Sequence, residues 1–286
     1  MEWSGFVDAK KNDLTPQTLN NYSNGYERLR ELLGGKKNIA NITQNDIIDI
    51  IKNSEFHKPT ILNIAIVIKQ FKNKPVNKLL KYRATLIIEA KDEQPIKNAN
   101  AIIDANTTYE QLQTALDEAT GIDYILLYLL MNYNVRNTDL IIQPILSKDK
   151  KAKLNKEDNF IILTRNKAKY IRQDYKTKAK YGTKEHVIED KKFIKILKSV
   201  IEDGNEKLFI NNMKKSIKPN DMSKYIKQRF RKYIPNSDLT QAIIYKIILQ
   251  HHEDNGDFKA MRKIAENRGH NPTTQEEQYS TINYKE

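Results

Sequence analysis

The first candidate catalytic residues of this sequence are a histidine and a tyrosine near its C-terminal end. His270 follows Gly269 directly, and Tyr279 stands nine residues further on. Glycine adopts a positive φ without steric conflict, so Gly269 is suited to the position just after a helix. A side chain on the turn that follows a helix faces a cleft more often than a core. The same spacing is typical of an ordinary helix, turn and helix, and the rest of the chain has to distinguish the two interpretations.

A second candidate position is Arg136, which follows an almost entirely apolar run at residues 122–133. Such a run predicts a buried helix. The charge of an arginine at the end of that helix cannot simply be buried. Arg136 is therefore expected either to emerge into water as a surface charge or to be held in a polar pocket.

The composition favours a polyanionic partner. The chain has 49 Lys and Arg against 36 Asp and Glu, which gives a net charge of +13 and a pI near 9.5. Nucleic acid is the usual partner of such a chain, although AT-rich genes also produce sequences heavy in Lys, Asn, Ile and Tyr. The absence of cysteine excludes disulfides, thiolate nucleophiles and zinc–thiolate sites. Neither a membrane-spanning run nor a signal peptide is visible, so we expect a soluble intracellular protein without membrane contact, in the cytoplasm or a host nucleus.

The sequence predicts two domains. Residues 1–88 are expected to form a helical bundle, because threonine and proline mark helix starts along it. The predicted starts are Thr15-Pro16, Thr43, Pro59 and Pro75. Residues 89–106 are charged, contain Pro95 and show no hydrophobic period, which is typical of a linker. The second domain then covers residues 107–286.

The second domain is predicted to combine helices with a short antiparallel sheet. Strands are expected at residues 159–163, 168–175 and 183–188, and helices at 109–119, 122–133, 193–201, 222–233, 243–251 and 257–268. Lysines are concentrated at the tips of the strands, and the helix at 222–233 is strongly basic. The fold class predicted is therefore mainly α with a small antiparallel β-sheet, divided into a helical domain and a mixed α+β domain.

The order of these parts resembles the tyrosine recombinase (phage integrase) family. The matching elements are a helical N-terminal domain, a linker, Arg136 after a buried helix, a lysine-bearing hairpin, Gly269-His270, and Tyr279 nine residues later. The resemblance covers almost the whole chain, and residues 174–182 look most like integrases of large DNA viruses and their parasites. It implies a helical core-binding domain and a catalytic domain that clamp double-stranded DNA, self-assembly on paired DNA sites, and no metal or other cofactor.

The resemblance also implies the roles of individual residues. Tyr279 would attack a DNA phosphodiester and form a 3′-phosphotyrosyl link, which leaves a free 5′-hydroxyl. Arg136 would clamp the phosphate, since its planar fork donates two parallel hydrogen bonds. His270 would donate to the same phosphate, and Lys176 would protonate the departing oxygen as general acid.

Some of these assignments have competitors in the sequence. Lys178 and Lys180 could replace Lys176, and Tyr284 competes with Tyr279, although the spacing from His270 favours Tyr279. The residues expected to contact DNA outside the reaction centre are Lys178, Lys180, Lys224, Lys227, Arg229 and Arg231.

One element of the family is missing. A second arginine is expected in a His-x-x-Arg pattern upstream of Gly269, yet residues 240–249 contain neither residue type. Matching the apolar positions places Tyr245 in the arginine slot, and a shift by one residue places Lys246 there. By analogy with an oxyanion donor, the loss of this arginine costs several kcal/mol of transition-state stabilisation.

A substitute is available on the last predicted helix. Arg268 shares one helical stripe with apolar residues, so it should point inward, and a buried arginine needs an anionic partner. That partner is either the substrate phosphate, with Arg268 or Lys246 restoring the clamp, or a carboxylate such as Glu266 or Asp257.

The sequence thus predicts a site-specific DNA recombinase or integrase of a mobile element. Two alternatives remain. The first is a catalytically impaired, DNA-binding relative of the family, which the missing arginine supports. The second is a type IB topoisomerase-like strand transferase, which shares the chemistry but works without choice of site.

Overall fold

In the computed structural model, the described residues are 2–35, 38–56, 58–147 and 158–281. The chain divides into two compact units, residues 1–93 and 94–286. The helices are α1 (Glu2–Lys10), α2 (Pro16–Leu32), α3 (Gln44–Lys52), α4 (Lys58–Phe71), α5 (Asn77–Asp104), α6 (Tyr109–Glu118), α7 (Gly121–Tyr133), α8 (Lys178–Tyr181), α9 (Lys191–Glu202), α10 (Pro219–Phe230), α11 (Gln241–Asp254), α12 (Phe258–Arg268) and α13 (Pro272–Tyr279). The strands are β1 (Ile142–Leu146), β2 (Asn159–Leu163), β3 (Ala168–Arg172) and β4 (Lys184–Ile188), and short 3-10 turns lie at Ile39–Asn41 and Thr138–Leu140. Over the described ranges, no helix has both the length and the apolar character that a membrane crossing requires.

The first unit is helical, and α2 and α3 begin at the predicted caps Thr15 and Thr43. Helix α4 begins one residue before Pro59, and α5 begins two residues after Pro75. The side chain of Thr15 accepts a hydrogen bond from the Thr18 N–H at 3.2 Å, and Pro16 is the first residue of α2. Helix α4 is apolar on several faces and is buried along most of its length. The sequence did not predict α1, whose Trp3 stacks on Tyr26 with ring centroids 4.7 Å apart.

Helix α5 corrects the linker prediction. Residues 89–104 of the predicted linker are helical, and the boundary between the two units, after Glu93, falls inside this helix. Most side chains of this segment are exposed, so no hydrophobic period marked it as a helix. Pro95 removes one backbone hydrogen bond, which an exposed helix can replace with water.

The sheet of the second unit has the order β1-β2-β3-β4 and is mixed. The predicted antiparallel strands correspond to β2, β3 and β4, which pair as a meander. Strand β1 was not predicted, and it pairs parallel to β2, with Ile142 opposite Asn159. Its sequence contains Pro144, which argues against a strand except at a sheet edge, and β1 is such an edge.

Helix α7 is the centre of the second unit. Eight of its 13 residues are buried, as its apolar sequence predicts, and it packs against α6, α9, α11 and α12. The helix ends at Asn134, which takes the left-handed conformation with φ 49°. Arg268, the last residue of α12, donates to the carbonyl of Asn134. The C-terminal ends of α7 and α12 therefore lie near each other, and candidate residues lie at both.

Candidate active site

Arg136 lies on the turn that follows the left-handed Asn134. It is half-buried, and its backbone N–H donates to Asp139 Oδ2 at 3.0 Å. Its guanidinium Nη2 donates to His270 Nε2 at 2.8 Å, while the buried Nη1 has no partner among the described residues. Arg136 is therefore turned toward the Gly-His turn of the chain.

His270 is held in its neutral form. Burial lowers its pKa to about 3, and the positive charges of Arg136, Arg268, Lys176 and Lys184 act in the same direction. Because Nε2 accepts a hydrogen bond from Arg136, the proton of the neutral ring is assigned to Nδ1. This Nδ1 is buried and has no partner in the described part of the chain. His270 can thus donate one hydrogen bond from Nδ1 to an acceptor that enters the site.

Gly269 joins the His270 turn to the loop between β3 and β4. It ends α12 in the left-handed conformation with φ 73°. A Cβ at this position would collide with the Thr177 hydroxyl and would lie 3.3 Å from the Tyr175 ring. Only glycine permits this close approach, which brings the lysine loop beside His270.

The three lysines of this loop differ in their surroundings. Lys176 is exposed, and its charge contributes to the lowered pKa of His270. Lys178 is half-buried in α8, and the ammonium of Lys180 lies 5.2 Å from the centre of the Tyr181 ring. Of the three, Lys176 is the one whose charge acts on His270.

Tyr279 is the last residue of α13, and it meets His270 face to face. The two ring centroids are 5.4 Å apart with an interplanar angle of 16°. Tyr245 packs edge-on against Tyr279 at 4.8 Å. The structure thus brings together Tyr279, His270 and Arg136. Tyr284, the competing tyrosine, lies outside the described residues.

Tyr245 stands in the slot of the missing arginine but is turned toward α13. It is fully buried, and its hydroxyl donates to Gln275 Oε1 at 3.0 Å. The Gln275 amide in turn donates to the carbonyl of Met261 at 3.0 Å. Burial raises the pKa of the Tyr245 phenol, so the phenol stays protonated. Tyr245 therefore contributes a structural hydrogen bond and no positive charge.

Arg268 supplies a positive charge beside Tyr245. Its guanidinium carbon lies 3.9 Å from the centre of the Tyr245 ring and 5.4 Å from that of Tyr279. Nη1 donates to the carbonyl of Asn134 at 3.3 Å, and Gln241 accepts from both terminal nitrogens at 2.9 Å in the amide orientation that satisfies both groups. The side chain is only 3 % exposed, and its Nε has no partner among the described residues.

The carboxylates expected as partners of Arg268 are engaged elsewhere or remote. Asp257 caps α12 by accepting from the Ala260 N–H at 2.9 Å, and it lies 3.5 Å from His252. No described Asp or Glu, Glu266 included, forms an ion pair with Arg268. Arg268 is thus a buried cation held by neutral acceptors.

Lys246, the other candidate for the second clamp, is not part of this cluster. It is half-buried, and burial is the sole cause that lowers its pKa. No charge of the cluster acts on it.

The buried pair of Asp139 and Arg172 was not predicted from the sequence. Arg172 is fully buried at the end of β3, where it forms an ion pair with Asp139 and donates to the carbonyl of Asn267. The same Asp139 oxygen accepts from the Arg136 N–H. This pair fixes the Arg136 turn against the end of α12. A strand-end arginine is usually a surface residue, so no sequence signal distinguished Arg172.

Lys184 is a second residue that sequence reasoning did not single out. It is half-buried at the start of β4, and its ammonium donates to the carbonyl of Glu266. Burial lowers its pKa to about 8, and the charge of Arg172 acts in the same direction. Lys184 lies close enough for its charge to affect His270.

The basic residues of α10 and the turn after it are mostly paired with carboxylates. Arg229 lies 3.1 Å from Asp123. Asp238 forms ion pairs with Lys227 and with Arg231, the latter at 3.8 Å. Lys224 is exposed and forms no ion pair with a described residue. Of the four basic residues predicted here to contact DNA, Lys224 is the one without a carboxylate partner among the described residues.

The fold and the site define a mainly helical protein with a small mixed sheet, in which a tyrosine, a neutral histidine and two arginines meet at the ends of helices. In the described part of the chain, no group of three or more His, Asp or Glu side chains could hold a metal ion.

Among solved structures, the chain has a distant likeness to a recombinase. No protein-family model matches the chain, and no curated protein sequence matches it. The crystal structure of XerA recombinase aligns over 97% of this chain and 92% of its own, at 13% sequence identity and a TM-score of 0.39.

Proposed function

We propose that this protein is a tyrosine-type DNA strand transferase, and within that class a site-specific recombinase. The observation that carries the proposal is the cluster of Tyr279, His270, Arg136 and Arg268. The Tyr279 ring, which carries the proposed nucleophile, stacks on the neutral imidazole of His270. The guanidinium groups of Arg136 and Arg268, which have no carboxylate partners among the described residues, lie beside these rings.

The cluster suits a phosphodiester. Arg136 Nη1, His270 Nδ1 and Arg268 Nε are buried donors without partners among the described residues. A phosphodiester carries two non-bridging oxygens on which negative charge increases as a nucleophile attacks. Donors fixed before the reaction stabilise that charge, and one such donor contributes about 3–4 kcal/mol. The two arginines would supply the positive charge, and His270 a neutral donor.

The proposed reaction begins when the Tyr279 phenol loses its proton to solvent and the phenolate oxygen attacks phosphorus. The bond between phosphorus and the 5′-oxygen breaks, a 3′-phosphotyrosyl link forms, and the 5′-oxygen leaves as a hydroxyl after it receives a proton. We assign that proton to Lys176, because it is exposed on the loop beside His270, whereas the Lys184 ammonium already donates to a backbone carbonyl. Attack by a 5′-hydroxyl on the phosphotyrosyl link restores the DNA strand, so no nucleotide is consumed.

Arg268 is proposed to replace the arginine that the family carries at the position of Tyr245. It approaches the site from α12 rather than α11, yet its guanidinium lies directly over the Tyr245 ring. The proposed partners are double-stranded DNA and further copies of this chain on paired DNA sites. Binding should weaken with salt, because each phosphate contact releases counterions.

The second candidate is a DNA-binding relative that has lost catalysis. Tyr245 favours it, because a phenol in the arginine slot donates to Gln275 and cannot stabilise a phosphate charge.

Trapping of a covalent adduct decides between the two. Full-length protein is incubated with a labelled pool of random-sequence duplexes that each carry a nick, and denaturing gels detect DNA attached to protein. We expect an adduct with the unaltered protein and with Tyr284→Phe, and none with Tyr279→Phe. DNA binding without any adduct would establish the non-catalytic relative. Relaxation of supercoiled plasmid without joining of defined ends would instead indicate topoisomerase-like activity.

A further inference from the structure

The chain just beyond Tyr279 is held by buried hydrogen bonds that the reaction itself does not require. Ser280 and Thr281 are 8 % and 1 % exposed, and they contact α5 and α11 of the same chain. We propose that Asn98 and Glu253 are positioning residues that fix the end of α13, so that each chain delivers Tyr279 to its own Arg136 and His270. This inference rests on the proposed function.

Asn98 brackets the nucleophile. Its side-chain amide donates to the carbonyl of Gln278 at 3.1 Å and to the carbonyl of Ser280 at 3.1 Å, which are the residues on either side of Tyr279. Its Oδ1 accepts from Gln94 at 2.9 Å. Asn98 is fully buried, and both of its donors are used on the backbone around Tyr279. These two hydrogen bonds from Asn98 fix the position of the C-terminal end of α13.

Glu253 holds the next two residues. One carboxylate oxygen accepts from the Ser280 hydroxyl at 2.6 Å, and the other accepts from the Thr281 N–H at 3.2 Å. Charge-assisted hydrogen bonds of this kind are roughly twice as strong as neutral ones. Glu253 belongs to α11, which also holds the middle of α13 through Tyr245 and Gln275.

These anchors matter because α13 is short. A helix of eight residues is not stable by itself in water, and its position therefore depends on tertiary contacts. Its start is fixed by Asn271, whose side chain accepts from the Thr274 N–H at 2.6 Å. Its end is fixed by Asn98 and Glu253. A displacement of about 1 Å at a reacting group can slow a reaction about 100-fold, so loss of the end anchors should slow attack by Tyr279.

The test compares two nucleophiles in full-length protein. Asn98→Asp keeps the size of the side chain but turns a carboxylate oxygen toward two carbonyls. With the nicked duplex pool, we expect single-turnover adduct formation to fall about 100-fold, with unchanged DNA affinity. Ser280→Ala removes one hydroxyl and should slow it about tenfold. Asn255→Asp, which alters an exposed amide at the end of α11, should leave the rate unchanged.

The second nucleophile is hydrogen peroxide, added to proteins that lack the Tyr279 hydroxyl. Tyr279→Phe and Tyr279→Phe/Asn98→Asp should give equal peroxide-dependent cleavage, because Asn98 positions only the tyrosine. If Asn98→Asp lowered the adduct rate and the rate of peroxide cleavage by the same factor, Asn98 would have a general structural role and the inference would be overturned. An unchanged adduct rate in Asn98→Asp would also overturn the inference, but it would leave the proposed function intact.

A mixing experiment tests delivery within one chain. Tyr279→Phe and Arg136→Ala proteins, combined on the same DNA, should form no adduct if each chain uses its own tyrosine. Adduct formation by the mixture would overturn the inference while supporting strand transfer. Absence of both adduct and peroxide cleavage in all proteins would refute the proposed function together with the inference.

Discussion

Two basic regions of the second unit have opposite electrostatic arrangements. On and just after α10, Arg229 is paired with Asp123, and two further cations share Asp238. Around His270, Arg136 and Arg268 donate to neutral acceptors, and neither guanidinium forms an ion pair with a described carboxylate. Both regions are rich in positive charge. Of the four α10-region cations predicted to contact DNA, Lys224 alone lacks a carboxylate partner among the described residues, whereas both guanidinium groups near His270 lack one.

The difference has an energetic meaning. A paired surface cation contributes little beyond about 1 kcal/mol to stability and is already neutralised. A buried cation without a carboxylate destabilises the free protein, and burial together with the charge of Arg268 lowers the pKa of Arg136. Arrangements of this kind are concentrated at functional sites, where a ligand supplies the missing charge. Charge pairing, rather than the number of basic residues, separates the proposed reaction centre from the rest of the basic surface.

The largest effect is expected from the loss of an arginine near His270, and the same substitution on α10 is its control. Arg136→Gln should slow adduct formation about 100- to 1,000-fold, because a preorganised donor to the phosphate is lost. Arg229→Gln removes an arginine that Asp123 already neutralises and should change the rate by no more than about twofold. Single-turnover cleavage of the nicked duplex pool measures both. Comparable losses in the two variants would remove the distinction between the regions.

A smaller loss is expected from Arg268→Lys. The charge is kept, but lysine cannot reproduce the planar fork that bonds Gln241 and Asn134, so the cleavage rate should fall about 10- to 100-fold. Glu266→Gln is the matched control, since Glu266 forms no ion pair with Arg268 in the described structure. An equal loss in Glu266→Gln would mean that a carboxylate, not a phosphate, is the partner of Arg268.

In the α10 region, releasing a neutralised charge should increase DNA binding. Asp238→Asn removes the partner of Lys227 and Arg231, and we expect DNA affinity to rise by up to about fivefold. Lys224→Gln should lower the slope of log affinity against log salt by about 0.9 if Lys224 contacts one phosphate. Fluorescence anisotropy over a series of salt concentrations measures both. Unchanged affinity in Asp238→Asn would show that this face lies away from DNA.

The smallest effect concerns stability against pH. In the folded protein the pKa of His270 is about 3, against its ordinary value of 6.5. Between these values the unfolded chain binds a proton at this residue and the folded chain does not, so acidification favours unfolding. The unaltered protein should therefore lose stability relative to His270→Asn as the pH falls from 6.5 toward 3. Denaturant titrations at several pH values measure this difference, and a difference independent of pH would contradict a neutral, buried His270.

The sequence predicted the elements that repeat a simple local rule. The apolar run of α7 predicted a buried helix, and Gly269 predicted a helix end with positive φ. Short segments between turn residues predicted the three strands that correspond to β2, β3 and β4. Strand β1 was missed because Pro144 is acceptable only at an edge that pairing alone reveals. Helix α5 was missed because an exposed helix with Pro95 leaves no hydrophobic period.

The site was less accessible to sequence reasoning, because its key contacts join distant parts of the chain. The predicted residues Arg136, His270 and Tyr279 lie together, and Arg268 points inward as its helical stripe indicates. The pair of Asp139 and Arg172 depends on how the 3-10 turn meets the end of β3, which no local pattern encodes. The paired state of the α10 cations was equally hidden, since Asp123 lies about a hundred residues before Arg229.

The close approach of Thr177 to Gly269 has a consequence for how this protein tolerates mutation. A methyl group at residue 269 would oppose the left-handed backbone and push away the loop that carries Lys176, so one added carbon would disturb the histidine and the lysine together. In a library that samples every residue type along the chain and is selected for strand transfer, position 269 should accept glycine alone. A residue without a side chain would then rank with the proposed nucleophile, Tyr279, in its intolerance of substitution.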